Sequence, residues 1–112
     1  MTTYILNSLI VPADLSGGPV LVVMRTATLE EVKNLLRKGF ESAVGHESTA
    51  QLLTKLTGIS IPMRRVSIMA RPGDVIVHFA LRTRLPEGRV LSEEELQQLQ
   101  FDFVISEVHQ PR

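Results

Sequence analysis

A chain of 112 residues with no cysteine must close its hydrophobic core by packing alone, because a disulfide framework, a thiolate metal site and a cysteine nucleophile are all excluded. Twelve basic residues cancel twelve acidic ones. That balance argues against a broad phosphate-tracking surface for long nucleic acid and leaves room for a focused anion pocket. No basic leader precedes the first apolar run, and no apolar run approaches the roughly 18–20 residues of a membrane span, so a cytoplasmic protein without a membrane partner is expected.

In chain order, Tyr4 to Val11 reads as a strand interrupted by Asn7-Ser8, and Pro12 to Pro19 as a loop by its Pro and Gly content. Val20 to Met24 is a continuous apolar run, fitting a strand buried on both faces. Thr28 opens a helix with the capping box T-x-x-E, and Leu29, Val32, Leu35 and Leu36 form its apolar stripe up to Gly39. A second helix follows Gly45-His46, with Ser48 or Thr49 as its cap and Gly58 as its stop. A short extra strand at Ile59 to Ile61 is allowed by the pattern.

Arg65 to Ala70 and Val75 to Leu81 flank Arg71-Pro-Gly-Asp74, a β-hairpin signal. Alternation places Val75, Val77, Phe79 and Leu81 on one face and Ile76, His78, Ala80 and Arg82 on the other. Thr83 to Val90 reads as a polar loop. Ser92 and Glu95 form a further capping box before Leu96 and Leu99, and Phe101 to Val108 closes the chain as a strand. The order β-β-α-α-β-β-α-β predicts an α/β single domain over residues 1–112, a mixed β-sheet of about five strands flanked by helices. No glycine-rich phosphate fingerprint follows any strand.

The chemistry-bearing residues each admit two readings. His46 stands beside the free N–H groups of a helix start, a natural phosphate site, and an imidazole there could act as a general acid; equally, it could be a solvated loop residue. The loop R-T-R-L-P-E-G-R gathers Arg82, Arg84, Glu87 and Arg89, either to close over an anion or as a hydrated surface. Arg64-Arg65 could reach a phosphate or guard a strand edge. Asn7-Ser8 either satisfies neighbouring backbone or faces a ligand at a strand end. His78 is structural or lies on a solvated sheet face, and His109 falls in a frayed tail. The three histidines show no metal-ligand spacing, so no metal and no other cofactor is expected.

Taken together and in order, YILNSLIV, VGHESTAQLL, the strand opening RRVSI, PGDVIV and R-L-P-E-G-R-V-L before an acidic helix resemble the small viral and prokaryotic ring nucleases that act as type III anti-CRISPR proteins. G-H-E-S-T is the most specific piece, and the loop Pro12 to Pro19 has no match. The resemblance implies a homodimer that binds cyclic tetra-adenylate across its two-fold axis and cuts it without metal to linear di-adenylate with 2′,3′-cyclic phosphate ends. It implies His46, Arg84 and Glu87 as catalytic residues, and Asn7, Ser8, Gly45, Ser48, Thr49, Arg65 and Ile68 as substrate contacts; Arg82 has no counterpart. Two other classes stay open: a non-catalytic dimer that sequesters or senses the cyclic oligonucleotide, and a small DNA-binding regulator.

Overall fold

In the computed structural model, residues 1–82 and 92–111 are described. Five strands form one mixed sheet: β1 (Thr3–Leu6), β2 (Leu21–Ala27), β3 (Glu41–Ser42), β4 (Val75–Leu81) and β5 (Phe101–His109), in the order β2-β5-β4-β1-β3. β1 runs parallel to both of its neighbours, β3 and β4. β5 runs antiparallel to β4 and β2. Helices α1 (Leu29–Arg37), α2 (Glu47–Thr57) and α3 (Glu93–Gln98) complete the domain. The expected architecture, a mixed five-stranded sheet with flanking helices, is the one observed.

Local chemistry explains the helices. Thr28 Oγ1 accepts the Glu31 N–H at 3.2 Å and Glu31 Oε1 accepts the Thr28 N–H at 3.2 Å, so two otherwise unpartnered donors at the start of α1 are satisfied. Ser92 and Glu95 make the same reciprocal pair at 3.2 and 3.3 Å. α2 ends at Gly58, whose φ of 70° lies in the left-handed region; its N–H donates to the Thr54 carbonyl at 2.9 Å.

Strand alternation divides the core in two. On the helix side, Ile5, Val77, Phe79 and Phe103 pack with Val32 and Leu36 of α1 and Leu52 and Leu53 of α2. On the opposite side Ile76, Val108 and Ala70 are buried with Tyr4, Leu6 and Val22 against them. Among the described residues, the chain buried against the second side is irregular (Val11, Val20 and Ala70) rather than helical, and irregular segments expose Leu9, Ile10, Met63, Val66 and Met69.

Four expectations are corrected. Arg65 to Ala70 is not a strand, so the hairpin is absent. Arg71-Pro-Gly-Asp74 does turn, with Asp74 N–H donating to the Arg71 carbonyl at 2.9 Å and Gly73 at φ 97°. Both edges of β4, however, are already taken by β1 and β5, leaving Ala70 a single parallel bridge to Ala13. Ile59 to Ile61 forms no strand, and the first strand stops at Leu6 rather than running to Val11. The run beginning near Val20 is an edge strand, β2, with Leu21, Val23 and Met24 exposed, not a strand buried on both faces. β3, only two residues long, adds a parallel edge beside β1.

Candidate functional site

β1 and β3 run parallel, so their carboxyl ends open at the same edge, where α2 begins. Parallel strands commonly present ligand-facing groups at that end. His46 is the N-terminal cap residue of α2, with extended φ and ψ of −130° and 130°, and its side chain makes no capping bond. The ring is exposed. Ala50 N–H already donates to the His46 carbonyl at 3.0 Å, so the helix begins two or three residues earlier than a Ser48 or Thr49 cap would place it. Those two residues lie inside the first turn instead, Ser48 half-buried and Thr49 buried.

Two of the other candidates, Asn7 and Arg65, converge on Gly45, the residue before His46. Asn7, one position beyond β1, accepts the Gly45 N–H on Oδ1 at 3.4 Å. Arg65 donates from Nε to the Gly45 carbonyl at 3.0 Å, and its side chain is exposed. A Cβ on Gly45 would sit 3.6 Å from Arg65 Cγ, in ordinary contact, so the glycine tolerates this approach without demanding it. The segment carrying Arg65 is tied in by Arg64 N–H donating to the Val44 carbonyl at 2.8 Å, and by Ser42 Oγ–H donating to the Pro62 carbonyl at 2.6 Å. Asn7 therefore satisfies backbone at the end of β1, the first of the two readings its position allowed. Ile68, half-buried, lies three residues beyond Arg65 on the same segment.

Arg84 and Glu87 lie outside the described residues, as does the rest of the loop Thr83 to Val90. Arg82, on the near side of that loop, is committed elsewhere: its guanidinium donates to Asp102 at 2.9 and 3.2 Å, and this bonding holds the Asp102 carboxyl below its usual range. His109 is the last residue of β5 and pairs with Leu21, so it belongs to the sheet rather than to a frayed tail. Among the described residues, no three His, Cys, Asp or Glu side chains converge as a metal site would require.

His78 is the residue whose part the alternation pattern only half revealed. It is fully buried on the second face of the sheet. Its Nδ1 lies 2.7 Å from the Ser8 carbonyl and its Nε2 2.7 Å from Ser106 Oγ. A carbonyl only accepts, so Nδ1 carries the proton and Nε2 accepts from the Ser106 hydroxyl. Polar residues on the same face of two neighbouring strands, His78 and Ser106 diagonal to each other, were the available signal.

Burial pushes the His78 imidazole below its ordinary pKa of 6.5, with the Ser8 hydrogen bond pulling the other way. Below pH 6.5 the unfolded chain therefore takes up a proton at this residue that the folded chain refuses. Stability is present in full above 6.5 and falls as the pH drops toward the lowered folded-state value. The slope from this one group reaches at most about 1.4 kcal/mol per pH unit. Urea unfolding between pH 5 and 7.5 should show this decline in the wild type and not in His78→Gln; parallel profiles would remove His78 from the account.

Two clefts open elsewhere on the described surface. One, of about 440 Å³, lies between Asp14 to Val20 and Arg71-Pro72, where Arg71 Nε meets Asp14 at 3.3 Å. The other, about 330 Å³, is lined by Arg25, Glu31 and Lys38 beside β5. Neither includes His46. Among the described residues, no helix is long and apolar enough to cross a membrane.

Comparison with known proteins places the chain. It is 41% identical over 107 residues to uncharacterized protein 26 of Sulfolobus islandicus filamentous virus (isolate Iceland/Hveragerdi), covering 94% of this chain and 90% of that one. It is 34% identical to protein ORF117 of Acidianus two-tailed virus over 88% of this chain and 86% of the relative. With YddF of Bacillus subtilis (strain 168) the identity is 32%, over 94% and 95% of the two chains. In fold it matches B116 of Sulfolobus turreted icosahedral virus with a TM-score of 0.83 at 21% identity, over 96% of this chain and 99% of that one. The sequence model of the STIV B116-like family matches residues 3–103, and the chain belongs to that family.

Proposed function

We propose that this protein is a metal-independent ring nuclease that works as a homodimer on cyclic tetra-adenylate in the host cytoplasm, so switching off or antagonising type III CRISPR signalling. The observation that carries the reading is His46: an exposed imidazole with no capping duty, at the start of α2, one residue from a backbone unit gripped by both Asn7 and Arg65. The unpartnered N–H groups of a first helical turn and a guanidinium together favour a phosphate beside that ring.

The chemistry follows from such a placement. The ribose 2′-oxygen attacks the adjacent phosphorus, the P–O5′ bond breaks, and a 2′,3′-cyclic phosphate forms. The 2′-hydroxyl proton leaves to solvent, and the His46 imidazolium gives its proton to the departing 5′-oxygen. Enclosure would supply the in-line alignment. Arg84 stabilising phosphoryl charge and Glu87 orienting His46 are roles taken from the resemblance. Two copies of His46 related by a two-fold axis would cut the ring at opposite phosphates and release linear di-adenylate. The exposed Leu9, Ile10, Met63, Val66 and Met69 supply apolar surface of the kind a second copy would cover. Relatives encoded by viruses and by Bacillus subtilis suit a protein that serves either an antagonist or a cell that ends its own response.

The test is to incubate the protein with labelled cyclic tetra-adenylate in excess chelator. Multiple-turnover appearance of linear di-adenylate is expected. Tight binding without cleavage would replace the enzyme with a sequestering or sensing dimer, and no binding would end both readings, leaving a DNA-binding regulator to be tested.

A further inference from the structure

We propose that His78, on the far side of the sheet, is a positioning residue for the His46 site, acting through the chain as it leaves β1. For its catalytic consequence this rests on the ring-nuclease reading; the positioning itself does not. A buried imidazole is costly where its neighbours along β4 are Ile76, Val77 and Phe79, unless both ring nitrogens are satisfied. Both are, and one of the two bonds goes to Ser8, where the chain turns out of the sheet.

Register makes the linkage direct. His78 pairs with Leu6, the last residue of β1. Its Nδ1–H then holds the carbonyl two residues further on, so the intervening Asn7 is pinned from both sides. Asn7 is the acceptor for the Gly45 N–H, and at 3.4 Å that bond is near the limit of useful geometry. A shift of a few tenths of an ångström at the exit of β1 would lose it. Gly45 would then keep its Arg65 bond and lose its Asn7 bond, and His46 is the next residue. Misplacing a reacting group by about 1 Å can cost on the order of 100-fold in rate.

Two substitutions separate this role from simple core support. In His78→Asn the side-chain N–H takes the place of Nδ1–H and can still reach the Ser8 carbonyl. In His78→Gln the amide oxygen takes the place of Nε2, keeping Ser106 as donor and losing Ser8. Both variants would be read by Gly45 amide hydrogen exchange and by kcat and KM on cyclic tetra-adenylate. Expected for His78→Gln are faster Gly45 exchange and a fall in kcat of about tenfold or more with KM little changed; His78→Asn should stay within about threefold of wild type in both. Should His78→Asn fail to fold, Ser106→Ala, which leaves the Ser8 bond in place, carries the same expectation. Equal Gly45 exchange in wild type and His78→Gln, or equal losses in the Ser8-retaining and Ser8-losing variants, would overturn the proposal. If the wild type does not cleave, the ring-nuclease reading falls and Gly45 exchange alone decides the role of His78.

Discussion

Replacing His46 with alanine is expected to slow cleavage of cyclic tetra-adenylate by about 10²–10⁴-fold, the range spanned by a positioned general acid. Affinity should change little, because the proposed phosphate contacts come from Arg65 and the start of α2 rather than from the imidazole. Folding should also be insensitive: the ring is exposed and makes no capping bond, so its loss leaves no buried group unpaired. This combination distinguishes proton donation from the other roles open to a histidine at that place. A ligand-gripping His46 would weaken binding together with rate. A loop residue without chemistry would alter neither, and a variant that cuts at the wild-type rate would end the general-acid assignment. The pH profile gives a second check. Donation requires the imidazolium, so the rate should fall toward alkaline pH, and that limb should vanish in the alanine variant.

The largest effect on stability is expected from Phe79→Ala, at about 3–5 kcal/mol, the usual cost of deleting a buried aromatic ring. Phe79 is 1% exposed in the middle of β4. It stands against Phe101 and Phe103 of β5 with ring centroids 5.4 and 5.3 Å apart. Phe101 and Phe103 meet edge-on at 5.5 Å. The three rings seal the helix-facing core in a chain whose other core residues are mainly aliphatic, and tilted contacts of this kind add to the area they bury. Phe79→Leu, which refills much of the space, should cost clearly less. Equilibrium urea unfolding measures both. A loss below about 1.5 kcal/mol for the alanine variant would mean that the site collapses around the deletion, contrary to the close packing described. Because small domains are held by about 5–15 kcal/mol, this single change would bring the protein close to its unfolding threshold.

Local signals were sufficient for elements whose cause is local. The reciprocal Thr28–Glu31 and Ser92–Glu95 caps, the stop at Gly58, the turn at Arg71-Pro-Gly-Asp74 and the face alternation of Val75 to Leu81 depend on neighbours within a few residues. Each is observed as its residues predict. Sheet membership is different, because it depends on which edges are free. Arg65 to Ala70 has strand-like composition and a sound turn after it, yet β1 arrives from 72 positions away to occupy the edge of β4 it would have used. Val20 to Met24 has the composition of an interior strand, but among the described residues β2 pairs only with β5 and is an edge of the sheet.

The same division runs through the candidate site. Histidine, glycine and the helix that follows them are adjacent in the chain, so a polar ring at a helix start could be read directly from Gly45-His46-Glu47-Ser48-Thr49. That Asn7 takes the N–H and Arg65 the C=O of Gly45, from 38 and 20 positions away respectively, required β1 and β3 to lie parallel and side by side. His78 shows the limit most plainly. Its spacing placed it on the second face of β4, but only the pairing of β4 with both β1 and β5 buried it and delivered Ser8 and Ser106 to its two nitrogens. Residue type and periodicity set what each segment can form; strand order decides which distant groups share one small volume, because closing the sheet selects a single set of edges from the many that composition would allow.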